Sequence, residues 1–145
     1  MIRNEREYRE AVERLQQETQ RLMQHEAHLR KQGLSPAQRK KAIEPLRSFH
    51  LQLAEEVATY ERLQRGEFQE LLNLNGLGQL LVSLRIGLGI TQRQLAERLG
   101  VDEALVSRDE RNEYHNIGIA RASRILEVMG VRLKTVVELP AQSAA

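Results

Sequence analysis

Residues 91–111 have the sequence TQRQLAERLGVDEALVSRDER, which predicts two short helices joined by a tight turn. Thr91 and Gln94 have the spacing of a capping box, so a helix should begin directly after Thr91. Gly100 tolerates the left-handed backbone that ends this helix, and Asp102 is expected to cap the next one. The apolar side chains expected to pack between the two helices are Leu95, Ala96, Leu99, Val101 and Val106.

The second helix of this pair has a polar outer face. With Val106 facing the core, helical periodicity places four residues outside: Glu103, Ala104, Ser107 and Arg108. The major groove of DNA is wide enough for a single α-helix, so this face is a candidate for contacts with base edges. Two alternatives remain open. The pair can be an ordinary helical hairpin, and Arg108 can form a surface salt bridge with Asp109, Glu110 or Glu113.

Further short elements are predicted around this pair. Leucines at helical spacing from Leu77 predict a helix that ends near Gly87, and another helix is expected over 119–129, after a polar loop. Residues 131–139 alternate in polarity, which predicts a β-strand that ends before Pro140. One side of this strand carries Val131, Leu133, Thr135 and Val137.

The N-terminal half predicts two long helices. Apolar residues follow three-four spacing within 4–32 and again from Pro36 to Gln64, and a turn at Gly33 separates the two runs. A turn this short requires antiparallel helices, each about 40 Å long. Pro45 lies inside the second run and is expected to kink that helix or to split off its first turns.

These elements predict a mainly α fold. It consists of an antiparallel two-helix coiled-coil hairpin over 1–66, a linker over 67–76, and a five-element domain with one C-terminal strand over 77–139. Residues 140–145 are expected to be a disordered tail.

The second half resembles the Xre/lambda-repressor-like helix-turn-helix domains over about residues 77–131. The motifs that carry this resemblance are TQRQLAERLGV, VSRDER and RASRILEVMGV. One position departs from the family pattern, because Asp109 stands where Ile or Leu is usual. The end of the recognition helix is then either exposed, or Asp109 pairs with a nearby arginine.

The resemblance implies DNA contacts for individual residues. The positions that would read bases are Glu103, Ala104, Ser107 and Arg108. The positions that would bind phosphates are Gln92, Arg93, Arg111, Asn112, Tyr114 and Arg85. Residues 131–139 also resemble the C-terminal strand of HigA- and HipB-like antitoxins, which pairs across a dimer. That likeness implies a homodimer interface at Val131, Leu133, Thr135 and Val137.

Composition and charge restrict the class of protein. The 145 residues include no Cys, and 41% are hydrophobic but only 3% aromatic, which suits a helical core of aliphatic side chains. The sequence has no apolar run of about 20 residues and begins with charged residues, so a soluble cytoplasmic, nucleoid-associated protein is expected. Residues 1–66 carry 13 basic and 10 acidic side chains, whereas 67–145 carry 9 and 10. The basic footprint of a DNA-binding protein must therefore be local or come from the first half.

No catalytic constellation is evident. The sequence offers no nucleophile-base-acid set and no phosphate-cradling glycine loop, so neither an enzyme nor a cofactor is expected. His25 and His28 lie one helical turn apart and His50 can face them, but further donors are lacking and no metal site is expected.

The sequence therefore predicts a homodimeric repressor of a palindromic operator. The first alternative is an antitoxin that binds a toxin through the hairpin and regulates its own operon. The second is an interaction protein whose helix-turn-helix no longer binds DNA. The hairpin itself is expected to serve dimerisation or partner binding, because it has apolar residues outside its seam at Ala11, Met23, Phe49 and Leu51.

Overall fold

A computed structural model describes residues 1–141 and confirms the mainly α fold. In this part of the chain there are six helices: α1 (Glu5–Lys31), α2 (Pro36–Gln64), α3 (Leu77–Gly87), α4 (Gln92–Leu99), α5 (Glu103–Arg111) and α6 (Ile119–Met129). Helices α1 and α2 pack along each other as the predicted antiparallel hairpin. None of the helices among the described residues combines the length and apolar character that crossing a bilayer requires.

The seam of the hairpin contains polar residues that find partners across it. A hydrogen bond of 2.8 Å joins Thr19 Oγ1 to His50 Nε2, and Arg47 donates to Glu26 at 2.8 Å. Pro45 does not split α2, which is continuous from Pro36 to Gln64. Polar groups at seam positions favour one register of the two helices, because any shift would leave them without partners.

The hairpin and helices α3–α6 share one continuous core. Ile2, Tyr60 and Leu63 from the hairpin belong to the same buried cluster as Leu81 and Ile125. The segment predicted as a linker contributes to this cluster, since the partly buried side chains of Phe68 and Leu71 pack against it. Residues 67–76 therefore interrupt the helices, but the core continues through this segment from the hairpin to α3–α6.

Two glycines of α3 allow close backbone contacts. A Cβ on Gly78 would lie 1.8 Å from the carbonyl oxygen of Glu113, in the loop after α5. A Cβ on Gly87 would lie 2.6 Å from the carbonyl oxygen of Leu63, at the end of α2. Glycine at these positions is therefore what lets α3 approach both the hairpin and the end of α5.

The predicted C-terminal strand is not formed in the single chain. Residues 131–141 have no regular secondary structure, and the one β-bridge among the described residues joins Leu72 to Asn75. Val131 packs against the core, whereas Val136 and Val137 are 81% and 80% exposed. A strand requires a partner for its backbone groups, and within residues 1–141 no other segment pairs with this one. The predicted tail extends into residues 142–145, which lie outside the described residues.

We expect the substitution Gly78→Ala to destabilise the protein. Helix propensity alone would raise the free energy of unfolding by up to about 1 kcal/mol. The clash with the Glu113 carbonyl should instead lower it by about 1–3 kcal/mol. Urea unfolding followed by circular dichroism measures the difference. Ser83→Ala in the same helix is the control and should stay within about 0.5 kcal/mol of the parent protein. A Gly78→Ala variant as stable as the parent would contradict the close approach.

Candidate nucleic-acid interface

Helix α4 has the local structure that its sequence predicts, whereas Asp102 precedes α5 without the capping side-chain hydrogen bond that was expected of it. Thr91 Oγ1 accepts a hydrogen bond from the backbone N–H of Gln94 at 3.0 Å, and the backbone N–H of Thr91 donates one to Gln94 Oε1 at 2.9 Å. Gly100 ends α4 in the left-handed conformation with φ 70°. Val101 is the exception to the predicted packing, since it is 37% exposed and does not fill the core at the turn.

Helix α5 presents one polar face outward. Glu103, Ala104 and Arg108 are exposed, and Ser107 is half-buried. The opposite face is buried through Val106 and Glu110. The four residues predicted to read bases therefore lie along a surface that the rest of the chain does not cover.

Beneath this face lies a buried ion pair that sequence reasoning missed. Arg85 in α3 and Glu110 in α5 have side chains that are 2% and 0% exposed, and they form two charge-assisted hydrogen bonds. Arg85 Nη2 donates to Glu110 Oε2 at 2.9 Å, and its Nη1 donates to the carbonyl oxygen of Ile90 at 2.8 Å. A longer contact of 3.4 Å joins Arg85 Nη2 to the carbonyl oxygen of Arg3. Arg85 thereby holds α5, the turn before α4 and the start of the hairpin together.

Two residues that were predicted to contact phosphates are instead buried. Arg85 is wholly engaged inside the protein, so its guanidinium cannot reach a phosphate. Tyr114 is also buried, with 5% exposure, and burial with the charges of Glu110 and Asp109 raises the pKa of its hydroxyl. Both side chains belong to the core beneath the recognition helix.

The other predicted phosphate residues remain at the surface, with different partners. Gln92 is half-buried, and its Nε2 donates to Glu110 Oε2 at 2.9 Å. The side chain is therefore engaged inside the protein, and the group of Gln92 that a phosphate could contact is its backbone N–H in the first turn of α4. Arg93 is exposed and lies 3.4 Å from Glu97. Arg111 and Asn112 are exposed at the end of α5.

The acidic residues near Arg108 are engaged elsewhere. Asp109 forms an ion pair with Arg121 of α6, the second of the two outcomes expected for this unusual residue. Glu110 binds Arg85, and Glu113 accepts a hydrogen bond of 3.3 Å from Gln79. Neither Arg108 nor Arg111 lies within 4.0 Å of a carboxylate among residues 1–141. Two arginines at one end of α5 therefore carry uncompensated charge.

The position of Arg85 contained a signal for its burial. Arg85 follows Leu81 by four residues, so it lies on the same face of α3 as a residue that is 1% exposed. A charged residue on an apolar helix face indicates a buried partner, although the sequence does not show which of the distant carboxylates supplies it.

The histidines considered as metal ligands do not form a metal centre in the part of the chain that the structure describes. No group of three or more His, Cys, Asp or Glu side chains is placed there to hold an ion. His50 contacts Thr19, and His28 lies 3.0 Å from the Gln32 side chain.

In α3–α6 one exposed helix lies over a small helical core, which is the arrangement expected of a DNA-binding helix-turn-helix domain. Residues 81–136 match the family model described as Helix-turn-helix, so this segment is a DNA-binding regulatory domain of the Xre/lambda-repressor-like kind. The matched family is not a family of enzymes. The remaining residues lie outside the match, and neither a curated protein nor a solved structure matches the chain significantly.

We expect the Arg85–Glu110 pair to be strongly coupled. Arg85→Met leaves the Glu110 carboxylate buried without its partner, which should cost about 3–5 kcal/mol of unfolding free energy. Glu110→Leu leaves the guanidinium buried and should cost a similar amount. The double variant replaces both charges with apolar groups and should be less destabilised than either single variant. Chemical denaturation of the three variants measures this cycle, and additive losses would show that the two groups act independently.

Proposed function

We propose that this protein is a homodimeric transcriptional repressor that reads a palindromic operator through α5. The observation that carries the proposal is the exposed outer face of α5, with Arg108 unpaired within the described residues. A guanidinium on a recognition helix can donate two hydrogen bonds to the O6 and N7 atoms of guanine. Glu103 can accept from a cytosine amine, and the methyl group of Ala104 can contact a thymine methyl; Ser107 can bond either kind of base pair.

The residues around α5 would fix its orientation on the DNA backbone. Arg111 and Asn112 lie at the end of the helix, and Arg93 lies in the first turn of α4. The backbone N–H of Gln92 lies at the N-terminus of α4, where a phosphate oxygen is favoured. Contacts of this kind position a protein without reading sequence.

A second copy of the chain is the proposed partner of the C-terminal segment. Residues 131–139 expose Leu133, Val136, Val137 and Leu139, and their backbone groups have no strand beside them in the single chain. Pairing with the same segment of a second chain, about a two-fold axis, satisfies both sets of groups. Val131, Leu133, Thr135 and Val137 would then form the interface. Recognition helices about 34 Å apart would match half-sites about 10 bp apart.

An antitoxin is the second candidate, and one observation favours it. Met23 and Leu51 on the hairpin are 64% and 60% exposed, although both are large and apolar. Large apolar side chains are more favourable when they are buried against a protein partner than when they are exposed to water. Purification of the protein from its host, with mass spectrometry of bound proteins and sequencing of bound DNA, separates this candidate from a simple repressor. A gel shift against the DNA upstream of its own gene tests whether the domain binds DNA at all.

We expect Arg108→Ala to reduce sequence specificity. The lost guanine contact should weaken binding to the preferred sequence by about 1–3 kcal/mol and relax the choice of base at one position. The measurement is fluorescence anisotropy with a duplex selected from a random pool, compared with an unselected duplex. Arg124→Ala, on α6, removes the same charge and should leave the ratio of the two affinities unchanged.

Arg111→Ala provides the contrasting variant for this test. This variant should bind selected and unselected duplexes more weakly by the same factor. The slope of log affinity against log salt should also be smaller by about one unit. If Arg108→Ala, correctly folded by circular dichroism, keeps the specificity ratio of the parent protein, Arg108 does not read a base.

We expect removal of residues 132–145 to abolish the dimer. This truncation keeps Val131, which packs against the core, and should leave a folded monomer that binds one half-site weakly. The molar mass measured by light scattering should be that of one truncated chain, whereas the parent protein should show twice its chain mass of 16.7 kDa. Removal of residues 141–145 alone should leave the protein dimeric and its affinity for DNA unchanged. A shorter protein that remains dimeric would place the interface on the hairpin.

A further inference from the structure

The far end of the hairpin is strongly basic. We define the hairpin tip as residues 21–47, the last turns of α1, the connecting turn and the first turns of α2. The tip carries seven Lys or Arg residues but only two acidic ones. The rest of residues 1–66 carries six basic and eight acidic side chains. The excess of positive over negative charge in the hairpin is therefore confined to the end farthest from the shared core.

Most of these basic side chains lack acidic partners. Arg47 is the one that pairs, with Glu26, whereas no carboxylate within residues 1–141 lies within 4.0 Å of the others. Those others are Arg21, Arg30, Lys31, Arg39, Lys40 and Lys41. Nearer the core the pattern reverses, because Arg6 pairs with Glu10 and Arg9 pairs with Glu5.

The stability of the hairpin accounts for only part of this charge. Arg30 and Lys31 lie in the last turn of α1, where positive charge is favourable. The basic residues at the start of α2 are different. Positive side chains are unfavourable near a helix N-terminus, yet Arg39, Lys40 and Lys41 follow closely on the start of α2, whose first turn has no acidic residue. The charges lie within a few helical turns of one another. At about 0.1 M salt, where the Debye length is about 10 Å, neighbouring charges repel in the free protein but attract a polyanion together.

We propose that the hairpin tip binds the phosphate backbone of DNA outside the half-site that α5 reads. The inference rests on the proposed function for the identity of the polyanion. Residues 67–145 carry 9 basic and 10 acidic side chains, so this half of the chain has no net positive charge, although Arg93, Arg108 and Arg111 are exposed on it. The tip supplies the missing sequence-independent attraction.

The length of the arm places this contact away from the recognition helix. The chain begins beside Arg85, whose Nη2 lies 3.4 Å from the Arg3 carbonyl oxygen. Helix α1 then runs for 27 residues, which spans about 40 Å. Lys31, at the far end of the tip, therefore lies farther from the start of α1 than the roughly 34 Å of one turn of DNA, whereas Arg21 lies about 24 Å from it. The far end of the tip and α5 then contact different stretches of backbone.

The test neutralises three exposed lysines of the tip. In the full-length protein, Lys31→Gln, Lys40→Gln and Lys41→Gln together should weaken binding to a labelled 30-bp duplex of random sequence by about tenfold or more at 0.1 M salt. The slope of log affinity against log salt should fall by about 2–3 units. Glutamine is a good helix former, so the hairpin should stay folded. The control combines Arg6→Gln, Arg9→Gln and Arg65→Gln, which remove the same charge from sites paired with glutamates.

The outcomes separate this inference from the proposed function. A loss confined to the tip variant, with the preference for a selected sequence unchanged, supports it. Equal losses in both triple variants would show a general effect of net charge and overturn it. Unchanged binding to random duplex also overturns it, and binding of anionic vesicles or of an acidic protein through the tip would then explain the charge. If the parent protein selects no sequence from a random pool, the proposed function fails while the comparison of the variants still tests the tip.

Discussion

The buried ion pair between Arg85 and Glu110 is the contact on which the orientation of the recognition helix depends. It joins α3 to α5 across 25 residues of sequence, and Gln92 at the start of α4 donates to the same carboxylate. Removing two charges from water is costly, and it is tolerated only when nearly every polar atom of the pair finds a partner. Here Ile90 and Arg3 supply further acceptors to the guanidinium. A small displacement of α5 would therefore break several charge-assisted bonds at once, which favours a single position for the helix.

The same pairing decides which charges face outward. The half of the chain that contains this domain, residues 67–145, carries 9 basic and 10 acidic side chains, and this balance does not favour binding to a polyanion. The structure resolves this locally, because Glu110 is neutralised in the core and Asp109 is held by Arg121. Arg108 and Arg111 are left at one end of α5 without a carboxylate nearby among the described residues. Net charge therefore says less about such a surface than the distribution of ion pairs does.

The local structure was predictable from the sequence because it depends on neighbouring residues. The capping box at Thr91 predicted where α4 begins, and the three-four spacing of apolar residues predicted the two helices of the hairpin. What depends on distant residues was not predictable. The burial of Arg85 depends on Glu110, and Tyr114 turns inward through a loop with positive φ at Glu113 and Tyr114. The strand predicted at 131–139 is not formed in the single chain for a similar reason, since no distant segment among residues 1–141 pairs with its backbone.

The shared core has a consequence for how the two halves of the chain act together. If 67–76 were a flexible linker, a contact made by the hairpin would assist α5 only through the effective concentration that the linker allows. Instead Tyr60 and Leu63 are buried with α3, and Gln64 donates to the carbonyl oxygen of Ile86 at 3.0 Å. Because the arm is packed on the domain, its distance from α5 is set by structure rather than by chain statistics. A ligand that shifts the hairpin would therefore disturb the packing on α3, and α3 contacts α5 both through Arg85 and through the shared core.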